Sequence, residues 1–139
     1  MQERLMGLDY GDSRTGVAVS DLLGITAQGI ESIKYTSEKQ LVQRLSEIIK
    51  EYQVKKIIIG LPLNMNASSG QRVEKTKKFI EKLEKEFGLE VITIDERLTT
   101  VASHRTMTEL GVKKDKKKNL VDMMSAILIL QMYMDKNRN

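Results

Sequence analysis

Acidic residues stand at three places where their neighbours make a charge expensive. Asp9 closes the apolar run Leu5-Met6-Gly7-Leu8, Asp95 and Glu96 follow the run Leu89–Ile94, and Asp122 interrupts Leu120, Val121, Met123, Met124, Ile127 and Leu128. An unpaired carboxylate in such company is costly, so each needs a partner or a task. Plain structural alternatives exist: Asp9 as a turn residue beside Gly11, and Asp122 or one of the 95–96 pair as a helix N-terminal charge. Together, acids from two strand ends and one helix form an oxygen-only donor set, the kind hard divalent cations take. Three carboxylates carry a charge of about −3, which two Mg2+ or Mn2+ ions and a phosphodiester would neutralise. The matching reaction is in-line displacement at phosphorus, one ion activating water and the other holding the leaving oxygen. Because successive strand residues face opposite sides, only one of Asp95 and Glu96 can share a face with Asp9, and the residues themselves leave open which.

Composition narrows the chemistry further. The 139 residues include no cysteine and one histidine, His104. That excludes a thiol nucleophile, a Cys-ligated metal and any multi-histidine metal site. The net charge of +4 is concentrated between His104 and Lys118, where six basic residues meet two acidic ones, so the remainder is neutral. A local basic patch on a neutral body points to an anionic partner such as nucleic acid, a solubilising lysine loop being the bland alternative. Lys113, Lys114, Lys116, Lys117 and Lys118 are its core. Further candidate phosphate contacts are Arg14, Arg97, and Asn64, Asn66 and Ser68 in the polar loop 61–70. Glycines 11 and 16, with the Ser13 and Thr15 hydroxyls, give the hairpin at 6–21 a phosphate-loop look, yet it matches neither the Rossmann nor the P-loop pattern. Six aromatics without tryptophan argue against a base-stacking platform for single strands.

These groups must be held by elements that the hydropathy pattern outlines. Arg4–Tyr10 and Arg14–Ser20 read as two strands joined by a hairpin at Gly11-Asp12-Ser13, and Gly29–Thr36 as a weaker third. Leu41, Val42, Leu45, Ile48, Ile49 and Tyr52 fall at helical spacing behind Ser37 as N-cap. Val54–Gly60 is a buried strand, Val73, Ile80, Leu83 and Phe87 mark a second helix ended by Gly88, and Leu89–Asp95 is a fifth strand. A helix over 99–110, a lysine loop at 111–118 and a packed final helix over 119–135 complete the chain. Ser125 and Ala126, at i+3 and i+4 from Asp122, would let that helix approach the sheet closely. The order β-β-β-α-β-α-β-α-α predicts an α/β fold in one domain: a five-stranded mixed sheet, antiparallel meander then parallel strands, flanked by helices. No apolar run is long enough for a membrane span, and the N-terminus turns polar too soon for a signal peptide, so a soluble cytoplasmic protein is expected.

Four segments in this order, LDYGDSRTGVAVSD, GLPLNMNASSG, DERLTT and KKNLVDMMSAILILQ, resemble the YqgF (RuvX-like) family, over nearly the whole chain. The resemblance implies a ribonuclease H-like fold and a metal-dependent acidic site made of Asp9, Glu96 and Asp122, with Asp95 as a less certain partner of Glu96. It also implies a nuclease of structured nucleic acid, maturing the 5′ end of pre-16S rRNA. Ala67 departs from the family, in which glycine is common at that position of the loop. A left-handed turn there would cost alanine about 1–2 kcal/mol, so the loop is expected to differ in shape.

Two rival functions follow from the same residues. A Holliday junction resolvase would keep the site but require a symmetric dimer, whereas the expectation here is a monomer or weak homodimer. A non-catalytic nucleotide-binding module would use the 6–21 hairpin as a phosphate loop, but the actin-like ATPases that share this basic fold need two lobes, and a chain of this length is expected to hold one.

Overall fold

A computed structural model describes residues 3–61, 69–95 and 114–137. Strands β1 (Arg4–Tyr10), β2 (Arg14–Ser20) and β3 (Ala27–Lys34) form an antiparallel meander, and β4 (Val54–Leu61) and β5 (Glu90–Asp95) extend it on the other side of β1. The sheet order is β3-β2-β1-β4-β5, with β4 parallel to both β1 and β5. Helices α1 (Glu38–Tyr52), α2 (Ser69–Phe87) and α3 (Lys114–Lys136) pack around it. This is the mixed five-stranded α/β sheet expected from the element order and the arrangement the family resemblance implies.

Strand β1 is apolar on both faces because both are covered. On one, α1 and α2 set Leu41, Leu45, Ile48, Phe79 and Leu83 against Met6, Leu8, Val17, Val19, Ile57 and Ile59. On the other, α3 brings Ala126, Ile129, Leu130 and Met134 against Ala18 and Ile58, with Leu5, Ile92 and Ile94 at the margin. Opposite faces of one strand thus belong to two cores, and Asp9, Gly7 and Leu5 share the α3 face by alternation.

Local signals account for most boundaries. The Ser37 hydroxyl accepts from the Gln40 N–H at 3.4 Å and caps α1, as its position predicts. Gly88, at φ 64°, stops α2 in the left-handed conformation that glycine adopts without strain. Three elements differ in their bounds from the sequence reading, β3 running over Ala27–Lys34 instead of Gly29–Thr36. Ser69 and Gly70 belong to α2 rather than the loop, and Lys114–Lys118 are the first turns of α3 rather than a lysine loop. Lysine is a good helix former, and like-charge repulsion costs only a few tenths of a kcal/mol per pair, less than is gained by extending a helix already anchored through its packed half. Phe79, the residue of α2 that the periodic reading passed over, stacks on Tyr10 with ring centroids 4.0 Å apart. The helix expected at 99–110 lies outside the described residues.

Candidate functional site

Asp9 lies at the C-terminal end of β1, directly opposite Gly16 in β2, and Gly16 is in turn opposite Ser32 in β3. Residues paired in this way project to one face, so Asp9, Gly16 and Ser32 form a row on the side of α3. The middle of that row is bare, and α3 uses the gap. A Cβ on Gly16 would lie 1.9 Å from the backbone oxygen of Asp122, and one on Gly7 would lie 2.8 Å from that of Ala126. Ser125 and Ala126 are fully buried at this contact. The small residues of α3 that suggested a close approach are therefore met by small residues on the strands. Gly16, which the sequence placed in a phosphate-loop-like hairpin, serves here as the seat of the helix.

The seat decides where Asp122 goes. Its main chain rests on Gly16, and its Oδ2 accepts a hydrogen bond from the Ser32 hydroxyl at 3.1 Å. Asp9 and Asp122, more than a hundred residues apart in sequence, are brought to one row of the sheet, and both are half-buried. Their donor chemistry, carboxylate oxygens supported by a hydroxyl, fits a hard divalent cation. Among the described residues no three acidic or imidazole groups come together as a metal site, and Glu96 lies outside them.

Strand β5 fixes the face of Asp95. Ile92 and Ile94 pack in the α3-side core while Val91 packs in the other. Asp95, paired with Leu61 at the end of the strand, alternates to the α1–α2 side, away from the face of Asp9. By this alternation Asp95 and Asp9 stand on opposite faces of the sheet. Glu96 carries the sequence parity of Ile92 and Ile94. Between β1 and β5 stands Gly60 of β4, opposite Ile94, without a side chain to fill the face.

Cationic groups flank the row. Arg14 and Lys34 are direct cross-strand partners one pair beyond Gly16 and Ser32, on the same face by parity. Lys34 is exposed and Arg14 half-buried. The sequence reading included Arg14 but missed Lys34, which the alternation of β3 would have aligned with it. Eight residues of α3 precede Asp122, about 12 Å of helix at 1.5 Å per residue, and carry the lysines to this end of the sheet. The side chains of Lys114, Lys116, Lys117 and Lys118 lie outside the described structure, as do residues Asn64, Asn66, Ala67, Ser68, Arg97 and Lys113.

The turn after Asp9 is held by a network no motif announced. Arg72 and Lys75 of α2 both donate to Oδ1 of Asp12, at 2.6 and 2.7 Å, and Arg72 also reaches the Tyr10 carbonyl while lying over its ring. The Lys75 hydrogen bond and the Arg72 charge hold the Asp12 carboxyl below the usual carboxylate range. From the other side, the Tyr35 hydroxyl donates to the Gly11 carbonyl and, its one proton committed, accepts from Thr15 at 3.3 Å. Burial pushes the Tyr35 phenol up, so it keeps that proton. The backbone leaving Asp9 is thereby tied to α2 and to the end of β3.

Comparison with known proteins gives a consistent picture. A family described as "RuvX: Holliday junction resolvase" matches residues 3–136. A "Putative pre-16S rRNA nuclease" of Ruminiclostridium cellulolyticum is 58% identical over 134 residues, covering 96% of this chain and 94% of the relative. A relative of the same name from Acetivibrio thermocellus is 52% identical over 134 residues, covering 95% of each. Among solved structures, T. thermophilus RuvC in complex with a Holliday junction substrate is similar with a TM-score of 0.61 at 15% identity, over 98% of this chain and 97% of that one. At that identity the likeness concerns the fold, which is ribonuclease H-like. Among the described residues no helix is long and apolar enough to cross a membrane.

Proposed function

The chain belongs to the RuvX family, and on that premise we propose that it is a metal-dependent, single-domain nuclease hydrolysing phosphodiester bonds in structured nucleic acid. The 5′ end of pre-16S rRNA is the substrate we assign, following the name its relatives carry, and the cytoplasm is where it would act. The observation that carries this reading is the seating of α3 on Gly16, which brings Asp122 to the strand row that holds Asp9. Asp9, Asp122 and Glu96 would hold Mg2+ or Mn2+, in one or two sites. When bound, such ions supply an activated water and charge stabilisation at the leaving oxygen.

The chain's own cations have a separate task. Arg14 and Lys34 lie directly opposite each other on the face of Asp9 and Asp122, and their charges would attract a backbone phosphate. The lysines of α3, with Lys113 and Arg97, would hold neighbouring phosphates. Asn64, Asn66 and Ser68 offer neutral donors for sugar or phosphate. None of these contacts requires a second protomer, in keeping with a monomer or weak homodimer.

Asp9→Asn tests the proposal. A pre-rRNA fragment carrying its 5′ leader and a four-way DNA junction are each incubated with wild type and variant in Mn2+. The expected result is cleavage of the RNA by wild type alone, with both proteins binding it. Cleavage confined to the junction would replace the rRNA assignment with the resolvase reading, which the family description favours. Equal cleavage by Asp9→Asn would remove Asp9 from the chemistry.

A further inference from the structure

The hydroxyl that meets Asp122 comes from a residue that no motif marks. Ser32 lies in the middle of β3, and its contact with Asp122 spans 90 residues of sequence. Its place in the sheet is fixed by pairing with Gly16, the same residue on which the main chain of Asp122 rests. Two adjacent strands therefore hold two parts of one residue, β2 its backbone and β3 its carboxylate. A carboxylate at a helix surface has two rotatable bonds, and a hydrogen bond to one oxygen fixes its plane and the direction of the other oxygen. Gly29 is covered by Ile127 and Met123 of α3, and Lys34 is exposed beyond the row.

We propose that Ser32 is a positioning residue, whose hydroxyl holds the Asp122 carboxylate in the orientation from which it ligates the divalent cation. The inference rests on the reading of Asp122 as a ligand. Partners that orient metal ligands in this way typically matter by 10–100-fold in affinity or activity.

The test separates the hydroxyl from its bulk. Ser32→Thr and Ser32→Val place side chains of equal shape on an edge strand, where β-branched residues are well tolerated, and differ in the hydroxyl alone. Mn2+ affinity is measured by calorimetry without nucleic acid, beside Asp122→Asn, and kcat and KM for the RNA are measured at limiting Mn2+. The expected result is Mn2+ binding within about threefold of wild type for Ser32→Thr and at least about tenfold weaker for Ser32→Val. For Ser32→Val, kcat should fall in parallel with KM for RNA unchanged, while the two variants melt at the same temperature. Equal Mn2+ affinity for both variants, with Asp122→Asn strongly weakened, would overturn the proposal and leave Asp122 a ligand. Unweakened binding in Asp122→Asn would overturn the ligand reading itself and Ser32's role with it.

Discussion

Replacing Gly16 with alanine should displace the helix that carries Asp122, and the size of the effect can be worked from the contact. The added Cβ would stand 1.9 Å from the Asp122 carbonyl oxygen, 2.4 Å from its carbon and 3.0 Å from the Met123 nitrogen, where ordinary contacts begin near 3.4 Å. All three atoms are backbone, so no rotamer change relieves the overlap of about 1.5 Å, and α3 must lift or unwind. Overpacking of this kind costs about 1–3 kcal/mol, and the backbone contact places Gly16→Ala at the upper end. For a chain of this length that lowers the midpoint of thermal unfolding by about 10 °C. A shift of roughly 1 Å at Asp122 would also cost about 100-fold in cleavage rate, measured where wild type and variant are both folded. Three other glycines calibrate the series. Gly7→Ala meets Leu130 Cβ at 2.7 Å and the Ala126 oxygen at 2.8 Å and should rank second. Gly29→Ala meets the terminal methyl of Ile127 at 3.1 Å, which can turn aside, and should cost little. Gly70→Ala meets nothing within 4 Å at the start of α2 and should be neutral or stabilising. A Gly16→Ala protein melting within about 2 °C of wild type and cleaving at its rate would refute the close seating of α3.

Two further predictions concern charge. Asp12 has its folded-state pKa lowered from 3.8 by Lys75 and Arg72, so its contribution to stability is present above that value and is lost as pH falls through the lower one. Asp12→Asn should accordingly lower the urea midpoint at pH 7 by the equivalent of less than about 1 kcal/mol, the side chain being 75% exposed, and converge with wild type in acid once the carboxyl is protonated in both states. Lys34→Ala, measured in the absence of divalent cations, should weaken binding to RNA and reduce the slope of log affinity against log salt by about 0.7–0.9. An unchanged slope would remove Lys34 from the phosphate surface.

Much of this architecture is legible in the sequence because it is encoded locally. The apolar run of Arg4–Tyr10, the Ser37 cap, the helical spacing of Leu41 to Ile48 and Gly88 at the end of α2 each act within a few residues. Asp9 and Asp122 stand out for the same reason, as charges inside apolar runs. What escaped depends on distant partners. Gly16 in a hairpin looks like turn chemistry until Asp122 arrives on top of it, and Ser32 is an ordinary strand serine until that carboxylate is beside it. The face taken by Asp95 follows from its register with Leu61, which no pattern within β5 supplies. Lys114–Lys118 read as a loop because charge repulsion is visible in sequence, whereas the anchoring that extends α3 through them is not.

The seat on Gly16 also imposes an order of assembly. The strands of the meander close over gaps of three and six residues, while α3 must find β1 and β2 across more than a hundred. Closing the longer span costs more chain entropy before any contact rewards it, so the meander pairs first and the helix docks late. Until then the Asp9 end of the sheet has an uncovered glycine groove, and Asp122 is elsewhere. On the proposed function, a newly made or partly unfolded chain would carry its lysines, and with them an attraction for nucleic acid, before the Asp9 and Asp122 carboxylates share one row.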